Sequence, residues 1–367
     1  MKKGIKQLGC LILSVMMVIG LAACGTKGNT SSQDTSAKED TGEQVSAEAK
    51  SFDVLNVGTM PLTMGIPVLY AEEKGYFKEV GLNINIESFA TGAPINEAIA
   101  ANEIDIAVSG FASVYSLANA DCTWITDVNT TGGMGLYARA DSPVAQAGEQ
   151  GGLIGNGETI KGLKILLPLG TAVQYMTESY AEQFGVTPGE LEQVNMEYAA
   201  AFQAFTTGEG DAMAANPPYS YQLEAGGYTK LASFEAATGV NMCDGAFVRN
   251  VVVTERAEEV ELFVACLVRA MDELQDDALR TEYTKQIYAD NAIEVSDEDL
   301  AHEIADRKYV GTKALTTEGY LLGEAWVAIT DFLVTAEKIT ADNAPNVPES
   351  IDATFVSSAV GATVNSK

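Results

Sequence analysis

The chain has 367 residues, of which 47% are hydrophobic, and a mean hydropathy of +0.05. This composition is typical of a folded globular protein and excludes disorder over the whole chain. The 51 acidic side chains outnumber the 22 basic ones and give a formal net charge of -29. Because so acidic a body repels nucleic acids and anionic lipid headgroups, we exclude nucleic acid as a partner.

His302 is the one histidine of the chain. Every Ser-His-Asp or Cys-His mechanism would have to use this residue, and metal sites with several histidine ligands are excluded. Common hydrolytic chemistry is therefore disfavoured, and we predict no metal site and no cofactor. The position of His302 in a helix beside Glu303 and Asp306 is typical of a surface residue.

Residues 1–23 have the pattern of an export signal. Three lysines precede an apolar stretch at residues 8–20, which is too short for a comfortable membrane span. The segment ends in Leu21-Ala22-Ala23-Cys24, which resembles the bacterial lipobox. We predict cleavage before Cys24 and attachment of lipid, including palmitate, to this cysteine. An uncleaved N-terminal anchor with an incidental cysteine is the alternative.

Residues 24–51 are predicted to form the lipidated cysteine and a flexible tether. Residues 25–50 contain no aromatic side chain, and Val45 is their one branched aliphatic residue, so they cannot bury enough surface to fold. A coil of this length spans roughly 30 Å. We expect an exported protein that is lipid-anchored to the outer face of the bacterial cell membrane. Cys122, Cys243 and Cys266 allow at most one disulfide there, and buried free thiols are favoured, although pairing of Cys122 with Cys243 stays open.

From residue 52 the chain alternates short apolar runs with amphipathic segments, which predicts mostly parallel sheets flanked by helices. In the first unit we predict strands at residues 54–58, 83–89 and 104–108, and helices at residues 67–74 and 94–101. A second unit repeats the order, with strands at residues 163–167, 193–198 and 211–215, and helices at residues 172–184 and 200–206. Two like units imply two lobes and a cleft, whether they arose by duplication or only share βαβ connections.

The remaining segments connect the lobes and extend the first one. Residues 124–129 and 135–139 are predicted to carry the chain to the second lobe, residues 246–253 to carry it back, and the glycine-rich residues 146–159 to form a solvent loop. Apolar residues at helical spacing in residues 258–274 and 322–333 predict core helices. We predict lobe 1 at residues 52–138, lobe 2 at 139–249, the return to lobe 1 at 250–343, and a loose tail at 344–367.

Several motifs occur in the order typical of a known family. They are Leu55-Asn56-Val57-Gly58, Ala71-Glu72-Glu73-Lys74-Gly75-Tyr76-Phe77, Ile104-Asp105-Ile106-Ala107, Arg139-Ala140-Asp141-Ser142-Pro143 and Gly208-Glu209-Gly210-Asp211-Ala212. Over roughly residues 54–333 the chain resembles the substrate-binding proteins of ABC importers in the nitrate, sulfonate and taurine group. One departure is the glycine-rich insertion before Thr159.

The resemblance implies an α/β fold of the two-lobed periplasmic-binding-protein type II class, which closes on a small solute and delivers it to a membrane permease. It implies binding without chemistry, so we do not expect an enzyme. Each lobe is a mostly parallel sheet flanked by helices, and we expect a monomer. An organic sulfonate, nitrate or a similar anion is the expected solute. A pyrimidine-like thiamine precursor is the alternative ligand, and a secreted enzyme of the same fold is the alternative function.

In open α/β sheets, ligands bind beyond the carboxyl ends of the strands, where helix N-termini present free N–H groups. Loops at these positions hold glycine, hydroxyl-bearing and aromatic residues, which permit close backbone approach and donate hydrogen bonds. The predicted ligand site consists of Thr59, Met60, Pro61, Thr91, Gly92, Ser109, Gly110, Phe111, Gly170, Thr171, Tyr175, Asn216 and Tyr219. An ordinary turn or N-cap is the alternative role for each.

Neutral donors and helix dipoles hold an anion without a formal charge, so the absence of lysine from these loops excludes nothing. Arg139 and Arg249 lie at the predicted crossovers and are further candidates for an anion contact. An ion pair at the hinge is the favoured alternative for both. Tyr70 and Phe202, with the three aromatic residues of the site, are candidates to wall a flat ring, although most are expected in the core.

Overall fold

The computed structural model describes residues 52–90, 92–119 and 121–366. The predicted export signal, Cys24 and the tether lie outside these residues. Within them, no helix has both the length and the apolar character needed to cross a bilayer.

The strands are β1 (Val54–Thr59), β2 (Asn83–Ser88), β3 (Ile106–Ser109), β4 (Cys122–Thr130), β5 (Gly135–Ala138), β6 (Glu149–Gln150), β7 (Leu153–Ile154), β8 (Lys164–Leu167), β9 (Glu192–Asn195), β10 (Ala212–Ala215), β11 (Thr229–Ser233), β12 (Cys243–Arg249), β13 (Leu321–Leu322) and β14 (Asn365–Ser366). The strands predicted in both units are therefore present, with ends shifted by one to three residues.

The helices are α1 (Ile66–Glu73), α2 (Tyr76–Glu79), α3 (Gly92–Ala100), α4 (Ser113–Ala118), α5 (Gly157–Ile160), α6 (Ala172–Gln183), α7 (Tyr198–Thr206), α8 (Tyr219–Ala225), α9 (Phe234–Thr238), α10 (Asn250–Glu255), α11 (Ala257–Glu273), α12 (Asp277–Asp290), α13 (Asp297–Asp306), α14 (Thr312–Leu315), α15 (Glu324–Thr335), α16 (Asn346–Glu349) and α17 (Thr354–Val360). A 3₁₀ turn spans Pro188–Glu190.

Two five-stranded sheets carry the same pairing pattern. The first has the order β2-β1-β3-β12-β4 and the second, read from its other edge, β9-β8-β10-β5-β11. In each, three parallel strands come first, and the fourth strand is antiparallel to both of its neighbours. The predicted α/β architecture of two sheets and two lobes is confirmed.

The chain changes sheets at positions other than the predicted boundaries. Strand β5 pairs with β10 and β11, so the chain enters the second sheet before residue 138, not after it. Strand β12 pairs with β3 and β4, so the chain has returned to the first sheet by Cys243, before the predicted boundary at residue 249. The connecting segments are residues 131–134 and 234–242. Apolar strands look alike in sequence, and pairing alone assigns each to a sheet.

The return strand is also shorter than predicted. Residues 246–253 were predicted as one strand because three valines follow Asn250, but the strand ends at Arg249 and α10 begins at Asn250. The Arg249 amide donates to the Asp105 carbonyl at 3.1 Å, and this is the last ladder position beside β3. Tertiary pairing therefore overrides the β propensity of the valines, one of which, Val251, is 45% exposed.

The prediction of a loose tail at residues 344–367 is wrong. The described part of this segment forms α16, α17 and β14, and Val347, Ile351 and Val356 are buried. The Trp124 amide donates to the Ser350 carbonyl at 2.7 Å, and the Asp352 amide donates back to Trp124 at 3.0 Å. The tail therefore extends the first sheet beyond β4.

The glycine-rich segment also contains regular structure. Strands β6 and β7 form a short hairpin, and the Tyr180 hydroxyl donates to the Ile154 carbonyl at 2.6 Å. The prediction of a plain solvent loop missed these contacts.

The three cysteines of the described residues are free. In the β4–β12 ladder, Cys122 pairs with Arg249 and Cys243 pairs with Thr130. Six residues of strand, about 20 Å, separate these two positions, so Cys122 and Cys243 cannot form a disulfide.

Candidate functional site

The carboxyl ends of β1 and β3 lie side by side in the first sheet. Thr59 is fully buried, and its Oγ1 donates to the Val108 carbonyl at 3.0 Å, so this hydroxyl ties the two strands together. Ser109 is also fully buried, but its Oγ has no hydrogen-bond partner among the described residues. A buried hydroxyl without a partner is costly and indicates a site that a ligand completes.

Asp244 and Asn129 are paired opposite each other on β12 and β4, next to the end of β3. The Asn129 amide donates to Asp244 Oδ2 at 2.9 Å and to the Thr130 carbonyl at 3.0 Å, so two acceptors determine its orientation. Asn129 Oδ1 consequently faces no donor in the described structure. Asp244 Oδ1 lies beside Gly110, where an added Cβ would stand only 2.7 Å from it.

The Asp244 carboxyl group is 4% exposed. Burial raises its pKa, while the charge of Arg307 and the hydrogen bond from Asn129 act in the opposite direction. A carboxylate in this position is costly unless a donor or a cation faces it.

Arg307 follows α13, and it is the guanidinium whose charge acts on Asp244. Its Nη2 donates to Asn216 Oδ1 at 3.1 Å, and its Nε has no partner in the described part of the chain. No carboxylate of the described residues lies within ion-pair distance of it. The guanidinium is therefore available to an acceptor from outside the protein.

A cavity of about 230 Å³ is lined by Arg307 and its partner Asn216. Its walls come from the loop after β1, the loop after β10, and the segment from α12 to α13; they include Leu62, Met64, Asn216, Pro217, Glu303 and Arg307. Met64 Cε stands 3.9 Å from the Cβ position at Gly110, so the inner wall of the cavity adjoins Asp244. Loops from both sheets thus meet around one space.

Helix α13 contacts both lobes beside this cavity. Glu303 accepts hydrogen bonds from the Tyr288 hydroxyl, at 2.8 Å, and from the Thr63 hydroxyl of the first lobe. On the neighbouring position, His302 stacks on Tyr221 of the second lobe with ring centroids 5.3 Å apart. His302 is exposed, as predicted.

The other predicted residues of the first lobe lie near these strand ends. Gly92 adjoins Ser109, whose Oγ would be 3.1 Å from a Cβ at this position. Pro61 lines a second cavity, of about 510 Å³, and Met60 is buried. Phe111 packs with its ring 6.1 Å from that of Trp326. Thr91 lies outside the described residues.

The predicted residues of the second lobe divide into two groups. Asn216 lines the cavity, whereas the Tyr219 ring packs at a tilt against that of Phe202, with the ring centroids 5.4 Å apart. Gly170, Thr171 and Tyr175 lie at the start of α6, which faces α15 and the residues just after it. A Cβ at Gly170 would overlap the Lys338 side chain, and the Tyr175 ring is 5.0 Å from that of Phe332 in α15. The Thr171 hydroxyl donates to the Pro168 carbonyl.

Neither predicted crossover arginine reaches the cavity. Arg139 donates to the carbonyls of Phe205, Glu209 and Gly210 and so binds the backbone of the second lobe. Arg249 forms an ion pair with Asp105 at 2.5 Å, the kind of contact named as the alternative. Because the strands change sheets elsewhere, this pair is not at the hinge. The Tyr70 hydroxyl donates to Glu273, away from the cavity residues.

Asp244, Asn129 and Arg307 were not predicted as site residues from the sequence. Asp244 offers a faint signal, since it is an acid next to an apolar strand, at residues 246–248. Arg307 looks like the basic end of an acidic helix, which is an ordinary capping pattern. Among the described residues, no group of histidine, cysteine or acidic side chains is arranged to hold a metal ion.

Comparison with known proteins finds a relative in sequence and several proteins of similar fold. Over 98% of this chain and 100% of the relative, the sequence is 25% identical to a Brachyspira hyodysenteriae protein named as an ABC transporter periplasmic binding protein. The periplasmic sulfonate-binding protein SsuA from Methylobacillus flagellatus has a similar fold, with a TM-score of 0.66 and 16% identity, over 87% of this chain and 99% of that one. The desulfurization enzyme DSZB also shares the fold, with a TM-score of 0.55 and 13% identity, over 84% and 99% of the two chains.

Residues 63–278, more than half of the chain, match the NMT1/THI5-like family. The match covers β2 to β11 entirely, together with the strand β12 that returns to the first sheet. The sequence resemblance and the doubled sheet lead to the same conclusion: this chain belongs to the NMT1/THI5-like family and has the periplasmic-binding-protein fold.

Proposed function

We propose that this protein is the extracytoplasmic substrate-binding lipoprotein of an ABC importer, which captures a small solute between its lobes and delivers it to a membrane permease. The observation that carries this proposal is the cavity where loops of both sheets and α13 meet: Arg307 lines it with an unpartnered Nε, and its Met64 wall adjoins Gly110 and the buried Asp244. The Brachyspira relative named as an ABC transporter binding protein supports the same function.

The mechanism is hinge closure about the segments at residues 131–134 and 234–242. A ligand that contacts Arg307 and the first-sheet strand ends on one side, and Asn216 on the other, stabilises the closed arrangement over the open one. Of the thirteen residues predicted from the sequence, Asn216 lines the cavity and Gly110 adjoins its Met64 wall. We propose these two as ligand contacts in the open arrangement, and Gly170, Thr171 and Tyr175 could join them only if closure moves the start of α6. The protein acts as a monomer, and a lipid on Cys24 keeps it at the outer face of the membrane.

Solute binding and import are tested together. Purified protein is screened by thermal shift against sulfonates, nitrate, pyrimidines and amino acids; a ligand at 100 times its Kd stabilises the native state by about 2.7 kcal/mol. Deleting the gene should abolish uptake of the ligand that binds. Binding without any effect on uptake would contradict the importer function.

Lipid attachment is tested separately. Cys24→Ala should release the protein from the membrane fraction and abolish incorporation of labelled palmitate. Retention of this variant in the membrane would contradict the anchor.

An enzyme of this fold is the second candidate, because DSZB shares the architecture. Burial raises the pKa of both Cys122 and Cys266 to about 12, so these thiols are protonated near neutral pH and are poor nucleophiles. The pKa of Cys243 is raised as well. Turnover of the bound solute by the purified protein would establish the enzyme instead.

A further inference from the structure

The inner end of the cleft combines a group of acceptors with a separate cation. The hydrogen bond from Asn129 reaches Asp244 Oδ2 and leaves Oδ1 beside Gly110, and Asn129 Oδ1 has no partner among the described residues. Ser109 is one residue from Gly110, which touches Asp244, and its hydroxyl is unpartnered. These atoms are nine-tenths buried or more, so stability alone does not explain them.

A hydrogen-bond donor on the ligand would satisfy these acceptors. A carboxylate and a carbonyl oxygen together match a protonated nitrogen, which carries a positive charge and several N–H bonds. A sulfonate or nitrate at this position would face the Asp244 carboxylate without a donor, and like charges repel. Burial already raises the pKa of Asp244, and a cation against it would offset that cost.

Arg307 is suited to bind an anionic group of the ligand. Its guanidinium has no ion pair in the described part of the chain, its Nε is unpartnered, and it lines the cavity whose inner wall adjoins Asp244. A planar guanidinium binds a carboxylate or sulfonate through two parallel N–H bonds. Arg307 acts on Asp244 through its charge, but the two groups form no direct ion pair, so each can still face a ligand group of opposite charge.

We infer that the cleft takes a zwitterionic solute whose protonated nitrogen donates to Asp244 and Asn129 and whose anionic group accepts from Arg307. This inference rests on the proposed function and narrows it, because a simple anion satisfies only one half of the site. The flexible Met64 side chain between the cavity and Gly110 moves aside at little cost when a ligand reaches Asp244. Apolar walls such as Leu62 and Pro217 accommodate a small aliphatic body.

The test uses sets of compounds that differ only in charge. Calorimetry on the purified protein compares leucine with isopentylamine, which lacks the carboxylate, and with isocaproate, which lacks the amine. Taurine is compared in the same way with ethylamine and ethanesulfonate, and each remaining common amino acid is also titrated. Glycine is compared with glycine betaine, which keeps both charges but has no N–H to donate. We expect at least one zwitterion with N–H groups to bind, and its matched amine, anion or betaine to bind at least about 30-fold more weakly.

Two variants connect the binding to the named residues. Asp244→Asn and Arg307→Gln should each weaken the zwitterion at least about 30-fold, because each leaves one ligand charge unpaired. The controls are Asp331→Asn and Arg269→Gln, whose side chains are exposed outside the cleft; both should change affinity less than twofold. Circular dichroism establishes that each variant is folded, and the compound comparison on the unaltered protein does not depend on any variant.

Three results overturn the inference. They are binding of ethanesulfonate, isocaproate or nitrate that matches or exceeds the zwitterions and is unaffected by Asp244→Asn, equal binding of an amine alone, and the absence of binding by every zwitterion tested. The first result would leave the importer function standing with an anionic cargo. Loss of the proposed function itself requires a different observation, namely that gene deletion leaves uptake of every bound solute unchanged.

Discussion

The two sheets have the same pairing pattern, but their strand ends differ in chemistry. In the first sheet, the strand ends beside the cleft carry the buried polar residues Ser109, Asn129 and Asp244. In the second sheet, β8 ends at Leu167 and β10 ends at Ala215, both of which are fully buried and apolar. The same pairing pattern therefore carries buried polar side chains at the strand ends of one sheet and apolar residues at the ends of β8 and β10 in the other.

This difference shows that two sheets with the same strand pairing can carry different numbers of buried polar groups at their strand ends. Unpartnered polar groups destabilise a folded protein, so each of them needs an explanation, and binding of a ligand is one. The continuous core runs through both sheets and includes buried residues of α11, α15, α17 and the C-terminal segment, whereas a smaller separate core lies on the second sheet between β5, β8, β10, α7 and α8. The second sheet is built from one uninterrupted stretch of chain, β5 to β11.

The largest expected loss of stability comes from removing the C-terminal segment, which packs on the first sheet. Deleting residues 344–366 removes six buried apolar side chains. The five larger than alanine contribute about 1.5–3 kcal/mol each, and their sum reaches the total stability of a typical domain. We expect no cooperative unfolding transition in urea and a loss of near-ultraviolet circular dichroism.

The matched change in the second half is much milder. Replacing the hairpin at residues 149–154 with a short Gly-Ser turn removes the buried Leu153 and the hydrogen bond from Tyr180, at a cost of about 2–4 kcal/mol. If the deletion of residues 344–366 costs no more than this replacement, the first sheet does not depend on the tail.

Phenylalanine deletions compare the two cores directly. Phe247 in β12 and Phe205 in α7 are both fully buried. We expect Phe247→Ala to lower the free energy of unfolding by about 4–5 kcal/mol, because this ring stacks with Trp124 inside the continuous core. Phe205→Ala should cost about 3 kcal/mol, since the Arg139 guanidinium 4.7 Å from its ring tolerates hydration. Urea denaturation measures both, and an equal or reversed ranking would contradict the comparison.

Acid titration distinguishes a buried acid of the first half from an exposed one of the second. Burial raises the pKa of Asp127 to about 6, although Tyr320 and Trp124 donate hydrogen bonds to it. A folded-state pKa above the unfolded one means that the native state holds the proton more tightly. Its contribution to stability is therefore greatest below about pH 4 and is lost as the pH rises through about 6, with an upper bound of about 3 kcal/mol.

Glu190 should behave in the opposite way. Hydrogen bonds from Lys161 and Thr187 lower its pKa to about 2, so its contribution is present above the unfolded pKa and is lost as the pH falls toward 2. Urea denaturation from pH 3 to 7 compares the unaltered protein with Asp127→Asn and with Glu190→Gln. Asp127→Asn should remove part of the decline between pH 4 and 6. An identical pH profile for this variant and the unaltered protein would show that Asp127 is not coupled to folding.

A glycine pair gives the smallest expected change in stability. Gly110→Ala places a Cβ 2.7 Å from Asp244 Oδ1, so the buried carboxylate must shift, at about 1–3 kcal/mol. Ligand affinity should fall at least tenfold, because the shift moves a recognition group. At Gly189 of the second half, no atom lies within 4 Å of the Cβ position, and Gly189→Ala should leave stability within about 0.5 kcal/mol and binding unchanged. Unchanged affinity in Gly110→Ala would remove Asp244 from the site.

The sequence by itself determined the local elements and their repetition. Alternating apolar residues predicted β1, β2, β8 and β10 close to their observed bounds, and helical spacing predicted α6, α11 and α15. These predictions succeeded because strand and helix periodicity are properties of neighbouring residues. The motifs carried the family resemblance for the same reason.

Only the tertiary structure decided which strand joins which sheet and which polar groups meet. The apolar strand at residues 243–249 is compatible with either sheet, and the small and polar residues after Asp342 resemble a tail until they pack on β4. Asp244 and Arg307 are 63 positions apart and have no common pattern in the sequence. Their relation depends on strand pairing and on the placement of α13, both of which are set by long-range packing free energy rather than by local composition.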